Sequence, residues 1–306
     1  GRRGAGAPAT PRRCESARPG AFGWLFVFEI SLAGLGSGGL LALAGLALVI
    51  IYKATRVVNL AIGEMLMMSA YLFFALTASM NLPVWLAIVG TILSSGVLGA
   101  LIERSMIRPM LGESPISTFM VTVGLSSVLV GLVELIWTAD PRRLPEFMPT
   151  DPVLLGPAMV APKVFYGFLT TALLITVVLL VFRFWRGGVA LRATASDQAA
   201  AYSMGINVPR VFSLSWTVAA MIAAVAGIVV GAIGGISSTM GVFGLSTLVV
   251  VIVGGLDSVV GALLGGLLVG LVEAWAGAYL GGEYKVIATF SLLLLVLLVR
   301  PYGLFG

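Results

Sequence analysis

The chain has 306 residues, 59% hydrophobic and only 10% charged, with a mean hydropathy of +1.09 and a formal net charge of +5. A soluble domain of this length needs a charged shell around its core, so lipid is the expected solvent; the positive charge is read as loop anchoring, not as a nucleic-acid surface. With no histidine and the single cysteine Cys14, histidine-based catalysis, zinc sites and disulfide frameworks are excluded or unsupported, and no enzyme activity is expected.

Residues 1–29 are set apart as a disordered or non-native tail. The first twenty are rich in Arg, Pro and Gly with almost nothing to bury, and they read as a linker or a processed start. Residues 30–306 then form a single transmembrane domain. Apolar stretches fall near 30–51, 57–79, 83–103, 116–137, 163–184, 211–234, 241–256, 259–280 and 285–300. A bilayer core of roughly 30 Å needs about 20 helical residues, so the expected fold is an all-α polytopic bundle of about eight or nine membrane segments. The stretch 241–256 is short and flanked by glycines, which leaves open a full crossing or a broken, re-entrant piece.

Orientation is read from the cations of the short connections. Lys53, Arg56, Arg104, Arg108, Arg183, Arg186, Arg192, Arg210 and Arg300 fall on one side, and Arg142, Arg143, Lys163 and Lys285 on the other, so the first side is assigned to the cytoplasm. The five arginines of the tail oppose this and level the two counts; the loops are followed because the tail has no part in the fold. The outer connection from Thr138 to Pro162 carries six prolines and is expected to be an irregular cap that faces a partner outside the membrane. The inner loop, 186–210, is the longest polar stretch between membrane segments. There Ser196 is placed to cap a helix starting at Asp197 and Gln198, Ala199 to Met204 favour helix, and Gly205 supplies a stop before Pro209. A helix of about two turns is unstable alone in water, so it either docks on a partner or lies on the membrane surface.

Gly34, Gly36 and Gly39 satisfy GxGxxG, yet they open a membrane helix and not a βαβ unit, so the match is spurious. None of the three lysines follows a glycine, so no P-loop is present and any ATP must bind another chain. Glycines four apart, as at Gly227, Gly231 and Gly235, at Gly261 and Gly265, or at Gly266 and Gly270, are read as close helix contacts that also suit a flexing pathway. Acids inside membrane segments are costly, which singles out Glu64, Glu134, Asp257 and Glu273. Glu64, in Asn59-Leu-Ala-Ile-Gly63-Glu64, either caps its helix or belongs to the solute path. Asp257, after Gly254 and Gly255, reads as part of a structural turn or cap, and Glu134 and Glu273 lie near outer helix ends.

The stretches VVNLAIGEMLMMSAY (57–71), LRATASDQAAAYSMGINVPRV (191–211), GGLDSVVGALLGGLLVGLVE (254–273) and RPYGLFG (300–306) resemble the branched-chain amino acid ABC transporter permeases of the LivH and LivM type, over residue 30 to the end. The resemblance implies a subunit of a bacterial importer in the inner membrane, multi-pass and built of inverted repeats like the vitamin B12 permeases, a type II ABC importer-like permease. It implies alternating access and, as partners, a second permease subunit in a hetero- or homodimer, two cytoplasmic ABC ATPases that bind the ATP and Mg, and a periplasmic or lipid-anchored solute-binding protein. No cofactor is implied for this chain itself. The inner helix would be the coupling element, with Arg192, Ser196, Asp197, Ala200, Ala201, Gly205 and Asn207 as its site residues; Ala200, Ala201 and Gly205 match the permease EAA motif. Ala199 stands at the motif's glutamate, a role left to Asp197 or Arg192, and Ile62 stands where relatives often carry a polar residue. Asn59, Gly63 and Glu64 are the candidates for the path or its gate. The cargo implied is leucine, isoleucine and valine, with urea, amides or other small organic solutes as the alternative and an ion-coupled secondary transporter behind both.

Overall fold

The computed structural model describes residues 19–305, apart from 111, 150, 152, 156 and 157. Most of the expected 1–29 tail, Cys14 included, lies outside the described residues, and its last part is already helix from Pro19. In chain order the described residues form α1 (Pro19–Thr55), α2 (Ile62–Phe74), α3 (Val84–Ile102), α4 (Pro115–Trp137), α5 (Pro162–Phe184), α6 (Arg186–Ser196), α7 (Gln198–Ser203), α8 (Val208–Gly234), α9 (Val242–Gly254), α10 (Val259–Tyr279) and α11 (Tyr284–Val299). Among the described residues seven helices are long and apolar enough to cross a membrane; α11, and α9 with the 3-10 turn before it, are shorter. Helix α9 has 13 residues, about 20 Å at roughly 1.5 Å per residue, and does not span a bilayer alone.

Two breaks explain the short helices. Helices α1 and α8 each give way at a residue in the left-handed region, Arg56 at φ 57° and Gly235 at φ 84°, and the chain then turns into a helix of 13 residues, α2 or α9. The first turns of α2 and α9 meet. A Cβ on Gly63 would run into the carbonyl oxygen of Gly241 and the main chain of Gly244, and one on Gly244 would run into Gly63. Such interrupted helices survive inside a membrane because their unpaired N–H groups face protein and not lipid. The stretch 241–256 is thus a short helix entered through a break, whereas the segment expected from 57 starts as helix at Ile62 and runs on through a π turn, Ala75–Ser79, to a length that can cross a membrane.

Helix α1 runs through the middle of the bundle and packs on α5, α8, α9 and α10, with Leu40 to Ile51 buried on every side. Close approach is what glycine permits here: a Cβ on Gly38 would strike the Gly266 carbonyl, and one on Gly270 the main chain of Gly38. Gly227 approaches Leu66 in the same way, whereas Gly235, grouped with it by spacing, instead ends α8 in a left-handed turn. The glycines of the GxGxxG match lie within α1 and pack on α10 and α5. Helices α4 and α5 are peripheral, with Ile116, Met120, Leu135, Leu169, Leu173 and Leu180 exposed.

The predicted charge split is reproduced in space. Arg56, Arg108, Asp257 and the α6–α7 region share one end, while Arg143 and Lys163 line a cavity of about 360 Å³ with Gly231 to Gly235 at the other. The proline-rich connection at that second end carries no helix among its described residues. It forms a small antiparallel ribbon, β1 (Val153–Leu155) with β2 (Ala158–Val160), and a bridge from Arg142 to Ile236.

Candidate functional site

At the first end, α6 and α7 are joined through Asp197, and the capping differs from the sequence reading. The Asp197 carboxylate accepts the N–H groups of Ala199 and Ala200 at 2.8 and 3.0 Å, so Asp197 caps α7. Ser196 is the last residue of α6, and its hydroxyl donates back to the Arg192 carbonyl. An ionised carboxylate is the stronger acceptor at a helix start, which is why the cap falls one residue later than expected. The end of α7 is a Schellman motif. Ile206 N–H donates to the Ala201 carbonyl at 3.1 Å and Gly205 N–H to that of Tyr202 at 3.0 Å, with Gly205 at φ 83°. Asn207 then caps α8 through the N–H of Arg210.

Ala201 is the buried side of α7, whereas Ala199, Ala200, Tyr202 and Met204 face outward, Tyr202 and Met204 at 71% and 83% exposure. Large apolar groups so exposed on a polar end fit a contact surface. The sequence reading overlooked them because it weighed α7 by its alanines. Arg192 donates to the Phe182 and Arg183 carbonyls and so closes the end of α5. Arg192 and Asp197 are thus both engaged within the chain.

Two ion pairs flank this segment. Arg56 meets Asp257 at 2.7 Å, and its Nη2 reaches the Ala195 carbonyl at 3.1 Å. Its hydrogen bond to Asp257 holds the Arg56 pKa above the ordinary value, although burial pulls the other way. Asp257 was expected to serve as a turn or cap. It lies in the turn that the Ser258 N–H closes on the Gly255 carbonyl at 3.0 Å, with Gly255 at φ 107°, while the cap of α10 is Ser258, which accepts from Gly261 N–H, and Gly254 lets α9 approach α10. The closing residues lie on this turn, with Leu304 N–H on the Val253 carbonyl. Arg108 pairs with Glu103, which is fully buried and also accepts from the Ser213 hydroxyl at 2.6 Å. Glu103 escaped the sequence reading because it stood at a predicted helix end. The signal was Arg108 five residues on: a π turn, Glu103–Ile107, follows α3, and Arg108 closes it with its N–H on the Glu103 carbonyl.

The other candidates gather at the start of α2. Asn59 is buried, accepts the Ala61 N–H at 3.0 Å and lies 3.3 Å from the Met65 sulfur, which shapes the turn into the helix. Glu64 sits in the first turn, where a carboxylate complements the helix dipole. One of its oxygens faces Gly241, and the other is buried without a hydrogen-bond partner among the described residues. Glu273 is satisfied by the hydroxyls of Ser246 and Thr289, and Glu134 is exposed near the end of α4.

The family described as branched-chain amino acid transport system, permease component, matches residues 30–299. The chain belongs to that family. The high-affinity branched-chain amino acid transport system permease protein LivH of Escherichia coli (strain K12) is 30% identical over 297 residues, covering 92% of this chain and 96% of the relative. LivH of Salmonella typhimurium is 29% identical over the same shares, and BraD of Pseudomonas aeruginosa is 31% identical over 89% of this chain and 94% of its own. No solved structure matches. The permease is accordingly a multi-pass helical membrane protein and a transport component, and the matched range contains α7, both ion pairs and the start of α2.

Proposed function

We propose that this permease is one transmembrane subunit of an ATP-driven importer in the bacterial inner membrane that carries leucine, isoleucine and valine into the cytoplasm. The observation that carries the proposal is α7. It is a short helix capped by Asp197 and closed by Gly205, and it presents Ala199, Ala200, Tyr202 and Met204 at the cation-rich end of the bundle. A cytoplasmic ATPase, holding ATP and Mg, takes this projection in a groove. A second permease subunit completes the solute path, and a solute-binding protein delivers to the opposite end, over the 138–162 connection. Asn59, Gly63 and Glu64, where α2 and α9 meet, lie in the path or at its gate. ATP-driven closure of the ATPases moves α7 and tilts the bundle, so that the path opens to each side in turn.

The cargo rests on the names of the relatives, which speak of branched-chain amino acids; urea, amides or other small organic solutes fit the same architecture. An ion-coupled carrier draws support from the unpartnered Glu64 oxygen, since such carriers use membrane acids, but it leaves α7 without a purpose. Purification of the native complex and uptake into liposomes decide between these readings. Co-purifying ATPases with uptake of labelled leucine that requires internal ATP are expected, with urea and acetamide as competitors. Full transport by this chain alone, without ATP, refutes the importer.

A further inference from the structure

A push on α7 reaches the membrane helices through buried Ala201, through the Gln198 amide on the Ala54 carbonyl at 3.4 Å, and through what holds its two ends, where on each side an arginine does so. Arg56, at the end of α1, donates through Nη1 to both carboxylate oxygens of Asp257 at 2.7 and 2.8 Å and through Nη2 to the Ala195 carbonyl. Arg108, beyond α3, donates to the two oxygens of Glu103 at 3.0 Å each, and its Nη2 also reaches the Pro209 carbonyl at 3.3 Å and the Ser213 hydroxyl at 3.2 Å. Ala195 lies just before the Asp197 cap, and Pro209 just after Asn207. The stretch from 196 to 208 is therefore bracketed by two main-chain carbonyls, each held by an arginine that a carboxylate keeps in place, Asp257 from across the fold for Arg56 and Glu103 from the adjoining π turn for Arg108. Open clefts of about 820 and 730 Å³ lie on either side of Arg56, so its guanidinium bridges a region that is otherwise loosely filled.

Resting on the importer reading, we propose that Arg56 and Arg108 are positioning residues for coupling: they grip the two ends of the α7 segment and carry its movement into α1, α3 and the α9–α10 turn. The plain alternative is that each merely satisfies a carbonyl at a helix end. Chemistry separates the two. A guanidinium holds a carboxylate and a carbonyl at once through its fork of donors, whereas a lysine ammonium, with the same charge, is a single centre on a flexible stem. The Arg56–Asp257 side chains are about half exposed, 48% and 54%, and such pairs add little to stability. At Arg56 a grip should thus show itself as lost transport without lost stability.

The test is the reconstituted complex of this permease with its second permease, ATPases and binding protein in liposomes, with ATP hydrolysis and labelled leucine uptake measured in the same vesicles. Arg56→Lys and Arg108→Lys are expected to keep hydrolysis and assembly while leucine taken up per ATP falls about tenfold, the order of one charge-assisted hydrogen bond. A wild-type ratio in both variants overturns the proposal, and so do uptake and hydrolysis that fall in step. Should a lysine variant fail to assemble, Asp257→Asn and Glu103→Gln, which loosen the anchor of each arginine at constant size, are read by the same ratio and the same criterion. A wild-type complex that takes up leucine without ATP removes the importer reading itself, an outcome distinct from an intact wild type with unaffected variants.

Discussion

Replacing Gly205 isolates the turn that ends α7. Nothing stands within 4 Å of the position its Cβ would occupy, and the backbone is at φ 83°. An alanine there meets no neighbour, and its whole cost is that of the left-handed conformation, about 1–2 kcal/mol, which asparagine tolerates better. That cost falls on a helix of six residues held at its end by the Ile206 to Ala201 and Gly205 to Tyr202 hydrogen bonds. A change of this size shifts a local opening equilibrium by about 5- to 30-fold. Hydrogen exchange of the purified permease, followed in a peptide covering residues 199–207, is the assay. Protection should fall in the order Gly205, Asn, Ala, Val, and in the importer Gly205→Val should uncouple uptake from ATP hydrolysis. Unchanged exchange in Gly205→Ala, or asparagine no better than valine, would refute the left-handed stop as the reason for glycine.

Three further substitutions probe the rest of the assignment. Asp197→Ala should raise exchange over α7 by the loss of about 1 kcal/mol of capping, while Ser196→Ala leaves it unchanged; the reverse result would return the cap to Ser196. Gly63→Ala should lower the melting temperature of the detergent-solubilised permease. Overpacking against the backbone of Gly241 and Gly244 costs about 1–3 kcal/mol and outweighs the gain of up to about 1 kcal/mol that alanine brings to a helix; a stabilised variant argues against the α2–α9 contact. Glu103→Ala should destabilise by about 1–3 kcal/mol through the unmet donors of Arg108 and Ser213. That is less than the 3–5 kcal/mol or so of a fully buried pair, because the Arg108 side chain is 36% exposed. A melting curve identical to wild type would show that the pair carries no load.

Much of the architecture was legible in the chain. Apart from α1, which begins at Pro19 and not near 30, the apolar stretches match the membrane helices to within a few residues, because lipid demands long uninterrupted runs that local composition displays directly. The short helix after Arg186 was legible for the same reason: caps, alanines and a terminal glycine act over a few neighbouring residues. The choice of Ser196 over Asp197 as its cap was not, since both are good caps and the end of α6, unforeseen, decided between them. Tyr202 and Met204 carry no sign in sequence that they face outward.

Hydrophobicity and its breaks thus determined that this is a polytopic helical membrane protein, and the charges of its loops divided its two ends. Tertiary structure decided which helix is central and which residues work together. An all-apolar helix has no polar face to mark its inside, so α1, at the core, and α5, at the edge, read alike until packed. The partners of the two arginines lie across the fold, with Asp257 at 201 positions from Arg56 and Ser213 at 105 from Arg108. Only the close approach of glycine-lined helices brings such groups within hydrogen-bond reach.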